Sequence, residues 1–266
     1  QSKCVLLVIG TPVDEYLNPD FNGLNKVVDN YFPYLKNGQI LILRSTVYPG
    51  TSERIQKYFW DKNKKVKVVF CPERIAQGKS LEELAKLPQI VSGFDASAVR
   101  EIGKFFQKIA PKVIFASSPI EAELSKLFSN AWRYIKFAVA NQFFMIAEDH
   151  NLDYGKIYET MMRDYARNKD LPPPGFAAGP CLLKDTMQLA AFNNNNFFLG
   201  HSAMLVNEGL PNYIVQKLKI KPFSSLLVEK PIAALAGINT LRDLSEKIRK
   251  ETDLKNKTIG ILGMAF

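Results

Sequence analysis

Short apolar runs separated by helical patterns occupy the first part of the chain. Cys4–Ile9, Gln39–Leu43, Val66–Phe70, Gln89–Val91 and Lys112–Phe115 are apolar on successive residues, as strands are when helices cover both faces of their sheet. The helical period over Leu24–Leu35, Ser52–Phe59 and Ala98–Ile109 supplies those helices. The pattern predicts an α/β fold with part of a doubly wound parallel sheet. In such sheets ligands bind beyond the carboxyl ends of the strands. Here those ends read Gly10-Thr11-Pro12, Arg44-Ser45-Thr46 continuing to Thr51, and Cys71-Pro72-Glu73-Arg74. Ser, Thr and Pro also start helices for purely structural reasons. Three polar strand ends on one edge nevertheless mark that edge as a candidate site.

From Pro119 to His150 the spacing predicts one long helix. At about 100° per residue, Glu123, Lys126, Asn130, Arg133 and Asn141 fall on one polar stripe, and Leu124, Leu127, Phe128, Ala131, Ile135 and Ala138 define the opposite, buried side. Solvent is one reading of the polar stripe, but two asparagines among charges suggest directed hydrogen bonding. Further helices are expected over Tyr154–Met162, from Cys181 and over Leu199–Leu218. Pro172-Pro173-Pro174 must be extended, and Asn193–Asn196 is a helix-ending turn. Lys219–Asn256 reads as a connector with an amphipathic helix near Thr240–Glu251, and Lys257–Phe266 as the first strand of a second α/β domain.

Composition narrows the function classes. With 266 residues, 47% hydrophobic and 23% charged, the chain suits a globular protein of two domains. No run is long enough for a membrane-spanning helix, and Gln1-Ser2-Lys3-Cys4 leads into a strand, so a cytoplasmic protein without membrane association is expected. Cys4, Cys71 and Cys181 are odd in number and widely spaced, and with His150 and His201 they form no metal-ligand pattern. The net charge of +9 invites anionic partners. Lysines scattered along helix faces, without a basic stripe interleaved with aromatics, argue against nucleic acid. No two glycines stand two residues apart, so a Gly-x-Gly-x-x-Gly phosphate-binding turn is absent from these residues.

The sharpest chemical signal is Gly175-Phe-Ala-Ala-Gly179-Pro-Cys181-Leu-Leu-Lys184-Asp185, in which a small-residue loop delivers a cysteine to a helix start. Backbone N–H groups there stabilise a thiolate, and Asp185 follows one turn later on the same face. A buried free cysteine opening a packed helix is the competing reading.

Taken together, Gly10-Thr-Pro12, Ser45-Thr-Val-x-Pro-Gly-Thr51, Pro72-Glu-Arg74, Glu123-x-x-Lys126-x-x-x-Asn130 with Ala140-Asn141, Gly179-x-Cys181-x-x-Lys-Asp185, Asn207-Glu-x-x-Pro211 and Ile261-Leu-Gly-Met-Ala-Phe266 resemble the nucleotide-sugar 6-dehydrogenases. That family comprises the UDP-glucose, GDP-mannose and UDP-N-acetylhexosamine dehydrogenases. The resemblance implies the later half of a Rossmann-like NAD-binding domain (1–117), a central helical domain carrying homodimer contacts (118–218), the connector (219–256) and the start of a nucleotide-sugar-binding domain (257–266). It further implies a chain cut at both ends and inactive by itself.

The implied reaction oxidises the C6 alcohol of a UDP-sugar to a carboxylate in two hydride transfers to NAD. Cys181 is the implied nucleophile, forming a thiohemiacetal and then a thioester. Lys126 and Asn130 stabilise the oxyanion and hold a water, Asp185 positions that water, and Thr46 and Glu73 handle protons. Thr11, Pro12, Ser45, Thr46 and Lys184 line the cofactor. Glu73, Arg74, Lys126, Asn130, Arg133, Arg167 and Gly179 are the implied substrate contacts, with Arg167 reaching a neighbouring subunit's site. Ala177-Ala178-Gly179-Pro180 stands where the family has paired glycines, and Gln77 where UDP-glucose enzymes often carry a carboxylate. Pro-Glu-Arg74 and Asn130-x-x-Arg133 point to the UDP-N-acetylhexosamine branch, that is UDP-ManNAc or UDP-GlcNAc, over UDP-glucose. Two alternatives remain open: a hydroxyacid dehydrogenase of related fold without covalent catalysis, and a non-catalytic basic binding module.

Overall fold

A computed structural model of the chain describes residues 2–11, 13, 14, 21–75, 83, 85–176 and 179–220. The expectations for Pro12, Gln77, Ala177-Ala178, the Thr240–Glu251 helix and the Lys257–Phe266 strand lie outside the described residues. Two compact units emerge. Among the described residues, the first comprises those of 1–130 with Lys184–Asn196, the second those of Ala131–Leu183 with Phe197–Ile220.

The first unit is built on a five-stranded sheet: β1 (Cys4–Leu7), β2 (Ile40–Leu43), β3 (Lys67–Phe70), β4 (Gln89–Gly93) and β5 (Val113–Phe115), in that spatial order. Helices α1 (Phe21–Tyr31), α2 (Thr51–Asp61) and α3 (Ala96–Phe106) alternate with the strands. Strand periodicity sends alternate residues to opposite faces, and the two cores follow it. Leu41, Leu43, Val68 and Phe70 meet Leu24, Val28, Ile55 and Phe59 of α1 and α2 on one face. Ile40, Ile42, Val69 and Val91 meet Ala98, Ile102 and Phe106 of α3 on the other. The α/β, doubly wound character expected from the apolar runs is therefore present.

One expectation fails. β1, β2 and β3 pair in parallel and so do β4 and β5, but β3 and β4 are antiparallel, with Val69 opposite Gly93 and Phe70 opposite Ser92. The sheet is mixed. A run of apolar residues reports burial on both faces and carries no information on strand direction. Gly93 makes the antiparallel approach feasible, because a Cβ there would sit 2.9 Å from the Val68 carbonyl oxygen.

Helix α4 (Pro119–Asp149) is the longest element, followed by α5 (Tyr154–Met162), a 3₁₀ turn at Ala166–Asn168, α6 (Gly179–Phe192) and α7 (Phe198–Ile220). Asp153 starts α5 by accepting a hydrogen bond from the Lys156 N–H, and Asp95 starts α3 in the same way through Ala98. In the second unit Tyr134 and Ala138 of α4 pack with Leu182 of α6 and Ala203 of α7. The buried side expected for α4 holds at Leu127, Ala131 and Ala138, but Phe128 is 55% exposed. An apolar stripe on a helix fixes a direction, whereas the width actually covered depends on the neighbouring elements.

Candidate active site

The polar stripe of α4 is mostly buried. Glu123, Lys126, Asn130 and Asn141 are all inside, while Arg133 is exposed. Glu123 accepts from the Gly50 N–H at 2.6 Å, the Ser52 N–H at 2.9 Å and the Ser52 hydroxyl at 2.6 Å. It closes the N-terminus of α2, whose first amides have no partners within the helix. Gly50 carries φ 87°, a conformation in which a side chain would be strained. The carboxylate thus ties α4 to the loop that carries Ser45 and Thr46.

Lys126 and Asn130 begin a continuous polar chain inside the first unit. Lys126 Nζ donates to Asn130 Oδ1 at 3.4 Å, and Asn130 Nδ2 donates to Asp185 Oδ2 at 2.5 Å. Asp185 Oδ1 stands 2.5 Å from Lys184 Nζ. Lys184 Nζ then donates to the Thr11 hydroxyl at 3.4 Å, and Thr11 donates to the Thr46 carbonyl oxygen at 2.5 Å. Six residues from α4, α6 and the carboxyl edge of the sheet are joined in one line. Asp185 is 1% exposed, so the two cationic side chains in this line offset a charge that burial alone would disfavour.

Ser45 has a different task. Its hydroxyl accepts from the Ile9 N–H at 2.8 Å and donates to the Ile9 carbonyl at 2.6 Å, stitching β1 to β2 past the last paired residues, Leu7 and Leu43. This explains why β1 ends at Leu7, two residues short of the apolar run.

Glu73 stands apart from the polar chain. It pairs with the Arg44 guanidinium, and its other oxygen accepts from the Arg74 and Ile75 N–H groups at 2.8 and 3.0 Å. Arg44 is buried, donates to Gln89 Oε1 at 2.8 Å and lies 5.0 Å from the Phe106 ring centre. Arg74 is half-buried and reaches the Pro88 carbonyl at 3.4 Å. Arg44 and Gln89 carry no expected role. The signal for them was present: a charged residue directly after a fully apolar run, and a glutamine opening another. With β2 and β3 parallel and Leu43 opposite Phe70, Arg44 falls beside Cys71, near Glu73.

In the second unit Cys181 is exposed and occupies the first turn of α6. Asp185 lies four residues later in the same helix. Gly179 opens that helix, and Arg167 is exposed in the 3₁₀ turn, its guanidinium 5.9 Å from the Tyr165 ring centre. The other thiols differ. Cys71 is buried, and burial pushes its pKa up to about 12. Among the described residues no group of three or more His, Cys, Asp or Glu side chains could hold a metal ion, and no helix is long and apolar enough to cross a membrane.

The five-stranded sheet with its alternating helices and polar strand ends defines an α/β protein with a candidate site at the sheet edge. Residues 1–110 match the NAD binding domain of the UDP-glucose/GDP-mannose dehydrogenase family and residues 120–208 its central domain; the chain belongs to that family. It is 30% identical over 200 residues to the UDP-N-acetyl-D-mannosamine dehydrogenase of Methanocaldococcus jannaschii, covering 75% of this chain and 46% of the relative. Its fold is similar to that of the Staphylococcus aureus UDP-N-acetyl-mannosamine dehydrogenase, with a TM-score of 0.76 at 23% identity over 98% of this chain and 64% of that one. The UDP-glucose dehydrogenase of Pyrobaculum islandicum gives 0.71 at 22% identity, covering 82% of this chain and 53% of that one. The chain spans about half the length of the curated relatives it matches.

Proposed function

We propose that this chain forms the catalytic part of an NAD-dependent nucleotide-sugar 6-dehydrogenase that oxidises a UDP-N-acetylhexosamine at C6 to the carboxylate. The observation that carries this reading is the largely buried line Lys126–Asn130–Asp185–Lys184–Thr11, which brings a cation and an amide from α4 together with the residue pair Lys184-Asp185 in α6. Lys126 and Asn130 provide a positive charge and an N–H donor for a developing oxyanion. Asp185 holds Asn130 in place and accepts the hydrogen bond of a water that cleaves a Cys181 thioester. Lys184 and Thr11, at the carboxyl edge of parallel strands, suit the anionic pyrophosphate of a dinucleotide. NAD, when bound there, accepts the hydrides. The preference for an N-acetylated sugar is supported by Pro-Glu-Arg74, by Asn130-x-x-Arg133 and by the names of the nearer curated relatives. A second copy of the chain packs along α4, where Trp132, Val139, Phe143 and Ile146 are exposed.

The test is NADH formation by the intact protein with UDP-N-acetylmannosamine, UDP-N-acetylglucosamine and UDP-glucose. Two NADH per sugar are expected, with an N-acetylated sugar favoured. Asn130→Ala is expected to lower turnover by about a hundredfold. Full turnover in Cys181→Ser rejects the covalent route, and equal efficiency with UDP-glucose rejects the sugar preference.

A further inference from the structure

Two asparagines that this chemistry leaves unused lie buried in the second unit: Asn141 on α4, with no exposed surface, and Asn207 on α7. A buried amide is costly unless its donors and acceptor are satisfied. These two satisfy each other and two further partners. Asn141 Nδ2 donates to Asn207 Oδ1 at 2.9 Å, and Asn207 Nδ2 donates to the Tyr134 carbonyl at 3.0 Å. Asn141 Oδ1 accepts from the Gly175 N–H at 2.7 Å.

Gly175 is where this network meets the chemistry. The segment after α5 runs through Leu171 and three consecutive prolines to Gly175 and Phe176, and on to the helix whose first turn carries Cys181. The Leu171 carbonyl accepts from the Tyr158 hydroxyl at 2.8 Å, which fixes the near end. Pro172, Pro173 and Pro174 have no N–H to give. Gly175 is thus the first residue after Leu171 whose amide can lock the loop, and Asn141 takes it. On the far side Leu182, next to the cysteine, is packed against Tyr134, Ala138 and Ala203. The same α4 and α7 surfaces therefore hold Gly175, six residues before Cys181, and Leu182, the residue after it.

We propose that Asn141 and Asn207 act as a pair of positioning residues that anchor the chain at Gly175, six residues ahead of Cys181, and so influence the placement and reactivity of its thiol. The pair works only as amides. Asn141 must present an oxygen to Gly175 and an N–H to Asn207 at once; an alkyl side chain there leaves the Gly175 N–H without its acceptor. The relevance to catalysis rests on the reading of Cys181 as nucleophile, but the placement of the loop is measurable without turnover.

The experiment is alkylation of Cys181 by iodoacetamide across pH in the intact protein carrying Cys4→Ser, since Cys71 is buried. Asn141→Ala and Asn207→Ala are each expected to change the Cys181 rate by about threefold or more and to move the pH midpoint of the reaction. The double variant is expected to go no further than Asn141→Ala alone, the mark of two residues acting through one contact. A lowered Tm with rate and pH midpoint unchanged would show a merely structural role and overturn the proposal, as would strictly additive effects. Hydrogen exchange of the Gly175 amide in the unsubstituted protein guards against variants that fail to fold. Strong protection is expected, and exchange as fast as in a free loop overturns the proposal. Turnover of Cys181→Ser answers the separate question of the nucleophile, so the two readings fail independently.

Discussion

Glu123 shows how a residue chosen for its place on a helical stripe can serve the site without joining it. The start of α2, with Gly50 in a left-handed conformation and Ser52 offering both N–H and hydroxyl, has the features of an anion site, and an internal carboxylate fills it. Burial raises the pKa of this carboxyl above its ordinary 4.5, against the lowering effect of the hydrogen bonds from Ser52 and Gly50. A raised folded-state value means that the group's favourable contribution is complete below the unfolded value and is lost as pH climbs through the folded one. Urea melts of the parent and of Glu123→Gln between about pH 4 and pH 7 test this. The parent is expected to lose ground relative to the glutamine variant as pH rises. A gap that stays constant with pH shows that Glu123 ionises as an ordinary carboxylate.

At the level of elements, β3 and β4 carry the clearest dependence on a single residue. A Cβ at Gly93 meets the Val68 carbonyl oxygen, a backbone atom that cannot swing away, and also the methyl groups of Val99 and Val69. Gly93→Ala is expected to cost about 1–3 kcal/mol by overpacking, read as a lowered urea midpoint; an unchanged midpoint contradicts the close approach. The direction of that strand pair was not legible in the sequence, since period and burial are the same for either polarity. Helix α5 was legible near Tyr154–Met162, and the Asp153 cap that starts it needs no tertiary contact. The site divided in the same way. Lys126, Asn130 and Asp185 could be placed from spacing along α4 and α6, whereas the Arg44 clamp on Glu73 depends on the register between two strands. Phe128 was misplaced because a 3.6-residue period gives the axis of an apolar face but not where its cover ends.

For the whole molecule, the exposed side of α4 in the second unit is the feature with the largest consequence. Trp132, Val139, Phe143 and Ile146 recur at helical spacing and are each 39% exposed or more. Monomeric proteins rarely leave a contiguous apolar strip of this kind open, and a helix face that packs against its own copy needs only self-complementarity about a two-fold axis. The buried stripe of the same helix holds Lys126 and Asn130, so pairing of two copies along α4 would stiffen the element on which the polar line depends. Replacing Trp132 and Ile146 together by glutamate places two charges in such an interface. Light scattering is expected to show the parent as a dimer and the double variant as a monomer with its far-UV circular dichroism intact. A variant that keeps the parent's mass assigns the strip to another role, and a parent that is already monomeric removes the proposed pairing altogether.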